Sequence, residues 1–182
     1  MANNDYPHGL NAVMSRFHDT PRMSQYKAYI NTTTPAAIFR GDVVQLLATG
    51  DVRSVVTAAG VDGMIGVAAS YVPAVAANDQ ADIWVHDDMD TVYEIQSDGT
   101  TDPGATTAQA HIGQTADIAL TAGNAGSGQS GHELDYSDLG VTATAPLKVV
   151  GHYEITGNDM ALMHARYLVV LNKSIQEKRK AV

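Results

Sequence analysis

The stretch Ala81 to Asp98, ADIWVHDDMDTVYEIQSD, narrows the folds open to this chain more than any other. Its residues alternate: Ile83 and Val85 fall on one side of an extended run with Trp84 and His86 on the other, and further along Tyr93 and Ile95 oppose Val92 and Glu94. A period of two belongs to a half-buried strand, because successive side chains of an extended backbone point to opposite faces. The acidic tetrad Asp87, Asp88, Met89, Asp90 separates the two runs. A four-residue polar turn is a common hairpin connection, so the stretch predicts a β-hairpin with a solvated acidic turn.

The same grammar continues on both sides. Ala37 to Phe39, Asp42 to Leu47, Val52 to Ala58 and Gly63 to Tyr71 are short runs bounded by Gly, Asp, Asn or Pro. Glu133 to Tyr136, Val141 to Ala145, Pro146 to Tyr153 and Ala161 to Leu171 follow after a turn-rich connector, Ser97 to Gln109, and an apolar segment, His111 to Leu120. Gly60, Gly63 and Gly66 interrupt one run as glycines do at bulges and barrel corners. Regularly spaced short strands predict an all-β fold, a small antiparallel β-barrel or sandwich, over residues 36–172. The 182 residues suit one domain with one core, and the 45% hydrophobic content is mostly Ala and Val. Ala122 to Gly131, AGNAGSGQSG, reads as a flexible loop facing solvent or a neighbouring copy.

The ends differ from the middle. Residues 1–35 are punctuated by Asn3, Asn4, Pro7, Gly9, Asn11, Pro21 and Pro35, with enough apolar residues only at Leu10 to Phe17 for a short helical turn. They read as an extended N-terminal arm. Tyr6, Phe17, Tyr26 and Tyr29 give this segment more aromatic surface than a disordered tail carries, so its rings bury against the body itself or against a neighbouring subunit. Residues 173–182 form a short basic tail with Lys178, Arg179 and Lys180. No Lys or Arg lies between Arg53 and Lys148, so the net charge of −9 is concentrated in an acidic middle that repels nucleic acid. The sequence has no cysteine, no secretory signal at its start and no apolar run of the roughly 18 residues that spans a bilayer. The expectation is a protein made in the cytosol with neither nucleic acid nor membrane as partner.

Patterns that carry chemistry are weak. Gly126, Gly128 and Gly131 spell GxGxxG, but the segment runs into HELD and not into an amphipathic helix whose N-terminus would hold a phosphate. Asp87, Asp88 and Asp90 lack the spacing of a calcium loop. His86, His111, His132, His152 and His164 lack the helical i, i+4 pairing of a zinc site. Arg40, Gly41 and Asp42 spell RGD yet lead straight into DVVQLL, where they open a strand. No serine has the neighbours of a nucleophile elbow. No catalytic, cofactor-binding or metal-ligating residue is assigned, and the expectation is a protein that is not an enzyme.

The succession IFRGDVVQL, GMIGVAASY, IWVHDDMDTVYEIQSDG, HIGQTADI, GQSGHELD, LKVVGHYE and YLVVLNKS resembles small structural proteins encoded beside the major capsid protein in tailed bacteriophages. The order of the motifs carries the likeness, which covers about Ala36 to Ser174. The resemblance implies a capsid decoration or cement protein on the outer surface of the virion, bound to the major capsid protein and bridging adjacent capsomers, often as a trimer. On that view Tyr6, Phe17, Tyr26, Tyr29, Lys178, Arg179 and Lys180 are the candidate capsid contacts. Other readings are an adhesion or glycan-binding module using exposed loops and RGD, a minor head component near a vertex, and a small metal-assisted hydrolase using the acidic turn and His86.

Overall fold

The computed structural model describes residues 3–17, 20–29, 36–56, 63–74, 81–99 and 108–172. Among them the strands are β1 (Asn11–Ser15), β2 (Ser24–Lys27), β3 (Val43–Leu46), β4 (Val52–Ser54), β5 (Met64–Ala68), β6 (Asp82–His86), β7 (Thr91–Gln96), β8 (Thr115–Ala116), β9 (Ile118–Ala119), β10 (Glu133–Leu134), β11 (Leu147–His152) and β12 (Arg166–Leu171). The chain is all-β. One five-stranded sheet runs β1-β7-β12-β11-β8, a second runs β2-β6-β5-β3-β4, and β9 pairs with β10 alongside. Every ladder is antiparallel. No helix of the described residues is long and apolar enough to cross a membrane.

Alternation explains the main core. Tyr93 and Ile95 of β7, Tyr167 and Val169 of β12, and Leu147 and Val149 of β11 point inward from the first sheet and meet Val43, Met64 and Val67 of the second. This is a sandwich, and the barrel alternative falls away because the sheets do not close on each other. A second cluster of Val44, Val52, Ile65, Ala68, Ile83 and Val85, with Ala28, Ile38 and Val72, lies on the other face of the second sheet. That sheet curls enough for one isolated parallel bridge, Ala28 with Val52, to link its two ends without closing it, with Tyr29 N donating to Val52 O at 2.7 Å. A bulge between Val44 and Gln45 of β3 helps the curl, since an extra residue bends and twists its strand.

The expected hairpin is not formed. The two runs are strands with the alternation foreseen, but β6 pairs with β2 and β5 in one sheet while β7 pairs with β1 and β12 in the other. The acidic tetrad is a corner at which the chain changes sheets. The N-terminal segment follows the same corner in the opposite direction: Asn11 faces Glu94 and Ser15 faces Thr91, then Ser24 faces Val85 and Lys27 faces Asp82. The two stretches thus form one long bent ribbon, bridged near the bend by Arg16 N donating to Asp90 O at 2.9 Å and by His86 Nδ1 against Arg22 O at 3.2 Å.

That ribbon corrects the reading of residues 1–35 as an arm. The described part supplies edge strands to both sheets, Leu10 is a core residue at 2% exposure, and the Leu10 to Phe17 region is strand where a helical turn was expected. Of its aromatic rings, Tyr26 is held to the chain's own body by its bond to Asp87, whereas Tyr6 and Phe17 stay exposed at 58% and 74%. Further on, Val141 to Ala145 forms no strand, and Ala161 to Ala165 is turn, so the last run is strand only from Arg166. The tail from residue 173 lies outside the described residues.

Candidate functional site

The most polar buried region lies on the outer face of β7. All six of its residues are buried, although only one face looks into the main core. Of its outward side chains, Val92, Glu94 and Gln96, the last two are met by residues 3–9, which cross them as a strap. Tyr6 N donates to Gln96 Oε1 at 3.1 Å, and His8 Nε2 lies 2.8 Å from Glu94 Oε2. Asn3 holds the start of the strap through Nδ2 to the carbonyls of Asp159 at 2.8 Å and Met163 at 2.9 Å, and it accepts from Asp159 N at 2.8 Å. At the other end Leu10 N donates to Gly41 O at 2.9 Å. Gly41 has φ +95°, and a Cβ there would stand 2.6 Å from His8 O, so only glycine lets the two backbones come this close.

His8 is built to carry charge. Its Nδ1 faces Tyr6 O at 3.0 Å and its Nε2 faces Glu94. A carbonyl and a carboxylate both only accept, so the ring satisfies both when both nitrogens are protonated. The hydrogen bond to Glu94 accordingly raises its pKa above the ordinary histidine value, against the opposing effect of burial. Arg166 Nε is 3.5 Å from the second carboxylate oxygen, Oε1, which accepts no hydrogen bond among the described residues.

Beside this pair lies a second constellation. Asp5, Glu133 and His164 each bring one ligand-type atom within 4.8 Å of the others. Gln96 Nε2 stands 3.3 Å from both Asp5 Oδ1 and His164 Nδ1. His164 is the one described non-glycine residue with a left-handed backbone, φ 58°. Its ring packs on Gly99, where a Cβ would stand 2.2 Å from the imidazole. Glu133 is 8% exposed, and its Oε1 has no hydrogen-bond partner among the described residues. Burial, with Asp5 and Asp98 nearby, pushes its carboxyl up to about 7.

Two other buried groups are closed to chemistry. His132 Nε2 lies 3.7 Å from Asp42 Oδ1, and Ser130 is close by, but the serine is 2% exposed and its Oγ accepts from His132 N at 3.0 Å. His111 is bracketed by Tyr167 Oη at 3.2 Å on Nδ1 and Tyr136 Oη at 3.3 Å on Nε2, partners that suit a neutral ring. Burial and His152 lower its pKa to match.

The sequence-derived candidates are scattered. Tyr6 is 58% and Phe17 74% exposed. Tyr26 is held to the chain's own corner by donating to Asp87 Oδ2 at 2.9 Å, and Tyr29 lines a cleft of about 380 Å³ with Ile38, Arg53 and Val55. Lys178, Arg179 and Lys180 lie outside the described residues. The acidic turn is not merely solvated: Asp88 Oδ1 accepts from Asp90 N at 3.1 Å and its Oδ2 is 3.5 Å from Ser15 Oγ. RGD opens β3 as expected, with Asp42 3% exposed and accepting from Phe39 N, which removes the aspartate an adhesive loop must present. The Ala122 to Gly131 segment is pinned, contrary to its reading as flexible: Arg40 N donates to Gly128 O, Ser130 N to Arg40 O, and Gly123 sits against the Phe39 ring. Its small residues permit close approach to the stacked pair Phe39 and Tyr71. Sequence reasoning passed over Asp5, Glu133 and His164 as a group. No family model, no curated protein and no solved structure matches the chain.

Proposed function

We propose that this chain is a structural protein of a bacteriophage head, a cement protein that grips the major capsid protein lattice from outside and bridges adjacent capsomers. The observation that carries the reading is the bent ribbon, which sets large apolar side chains in solvent along its length: Met14 at 46%, Phe17 at 74%, Met23 at 51% and Trp84 at 46% exposure. Where such groups gather into a patch they mark a surface that other proteins cover, and four on one ribbon are the material for such a patch. The ribbon also supplies β1 and β2, edge strands of the two sheets, and an edge strand offers backbone groups to a partner. The ordered motif likeness to capsid-associated proteins supports the same reading. Many symmetry-repeated weak contacts around a shell would give strong retention through avidity.

The adhesion reading loses its strongest feature with Asp42 buried. The hydrolase reading loses support because Asp87 and Asp88 are engaged by Tyr26, Ser15 and Asp90. Deleting residues 1–35 is no test, because it removes edge strands and a core leucine. The test is the double substitution Phe17→Ser and Trp84→Ser, whose side chains are exposed enough to leave the fold intact. Wild type should co-sediment with expanded shells at a copy number on the order of hundreds per particle, as a repeated lattice site requires. The variant should bind far more weakly. A copy number of about a dozen would instead favour the vertex reading, since one fivefold or portal position repeats only that often; undiminished binding by the variant would remove the ribbon from the interface.

A further inference from the structure

We propose that Asp5, Glu133 and His164 form a binding site for one divalent transition-metal ion of the zinc type. The inference is independent of the role at the capsid. Two observations carry it: the three ligand-type atoms converge within 4.8 Å, and the buried Glu133 has an oxygen, Oε1, that no donor among the described residues reaches. A buried carboxylate oxygen without a donor is costly to keep, and a cation removes that cost.

The chemistry of the donors selects the ion. One imidazole nitrogen with two carboxylates suits zinc and its neighbours, whereas calcium and magnesium take oxygen ligands almost alone. Tetrahedral zinc with bonds of about 2.0–2.1 Å holds neighbouring ligand atoms roughly 3.3 Å apart. His164 Nδ1 and Asp5 Oδ1 are already 3.6 Å apart. Water would take the fourth position.

The surroundings fix the ligands in place. Gln96 Oε1 accepts from Tyr6 N, which leaves Gln96 Nε2 turned toward His164 Nδ1. An amide N–H only donates, so an unprotonated Nδ1 would accept from it, and a bound ion would take over that lone pair from Gln96. Gly99 lets the imidazole lie flat against the chain, and the left-handed backbone at His164 directs it. Asp5 belongs to the strap, Glu133 to β10 and His164 to the turn before β12, so the ion would fasten the N-terminus to two distant parts of the body.

The full chain, freed of metal with a chelator, would be titrated with zinc chloride by calorimetry and its zinc content measured by elemental analysis. One zinc per chain is expected, with a rise in the thermal midpoint and no comparable heat from calcium or magnesium. Glu133→Gln and His164→Asn should each weaken binding at least tenfold. Should either fail to fold, Asp5→Asn changes a side chain that is 64% exposed and must show the same loss in a folded protein. No stoichiometric binding, or binding that survives Asp5→Asn unchanged, would overturn the site.

Discussion

Leu10→Ala tests whether the N-terminal segment is part of the fold or an appendage. Leu10 is 2% exposed and sits in the main core with Tyr93, Val43 and Leu134. Truncating a buried leucine to alanine removes its transfer free energy and leaves a cavity, together about 2–5 kcal/mol. Neighbours from both sheets surround the position and cannot all collapse inward, so a mid-range loss of about 3 kcal/mol is expected. For a domain of this size that corresponds to a fall in melting temperature of roughly 6–12 °C. Urea unfolding is the assay, followed by far-ultraviolet dichroism and by the fluorescence of the single tryptophan, Trp84, which lies in β6 of the second sheet. The two probes should report one shared transition, shifted to lower urea, because strap and sheets unfold together. Phe17→Ala, in the same segment but 74% exposed, should stay within about 0.5 kcal/mol of wild type. A Leu10→Ala loss as small as that of Phe17→Ala, or a separate early transition for the N-terminal segment, would refute the placement of residues 3–17 in the body.

Further expectations concern the strap. Gly41→Ala should cost clearly more than Gly50→Ala in urea midpoint: both have left-handed φ, worth about 1–2 kcal/mol, but only at Gly41 does the new Cβ meet backbone, His8 O at 2.6 Å. Equal losses would show that the strap does not press on Gly41. His8→Gln should destabilise more at pH 6 than at pH 8.5, by on the order of 1 kcal/mol, the margin between a charged and a neutral hydrogen bond. The raised folded pKa means that the stabilisation is fully present below the ordinary value of 6.5 and fades as pH climbs through the folded value. A stability difference between the two proteins that is flat or grows with pH would show that His8 is neutral against Glu94.

Strand content was legible wherever alternation was local. Ile83 and Val85 are fully buried while Trp84 is 46% exposed, as their positions in the run demand, and β3, β5, β11 and the end of β12 likewise fall inside runs bounded by turn residues. What periodicity could not provide was the choice of partner. A four-residue polar link serves equally for a hairpin and for a corner between sheets, and here β1 and β2, drawn from a segment rich in Asn and Pro, decide the matter by pairing with each side of the bend. The same long-range pairing overrides the short helical pattern at Leu10 to Phe17, since an edge strand beside β7 satisfies backbone groups that an isolated turn of helix would leave in water.

The polar face of β7 follows from this pairing. Glu94 and Gln96 lie on the opposite side of the strand from Tyr93 and Ile95, a position that alternation alone would assign to solvent, yet both are buried. They are covered because the strap must cross β7 to enter the ribbon, and a carboxylate covered in this way needs a cation, which His8 and Arg166 provide. Glu133 is covered too, and among the described residues its Oε1 has no hydrogen-bond partner. The residues that would complete its environment, Asp5 and His164, stand at opposite ends of the chain, so no spacing rule brings them together. The fold does so in two steps: Asn3 is hydrogen-bonded to the loop around Asp159 and Met163, which sets Asp5 beside His164, and Ser97 bridges Leu134, which places Glu133 at the end of β7. The first step depends on the strap being seated. The zinc affinity of the folded chain and the stability lost on Leu10→Ala therefore report on a single docking event, and a substitution that unseats the strap at Gly41 should weaken both.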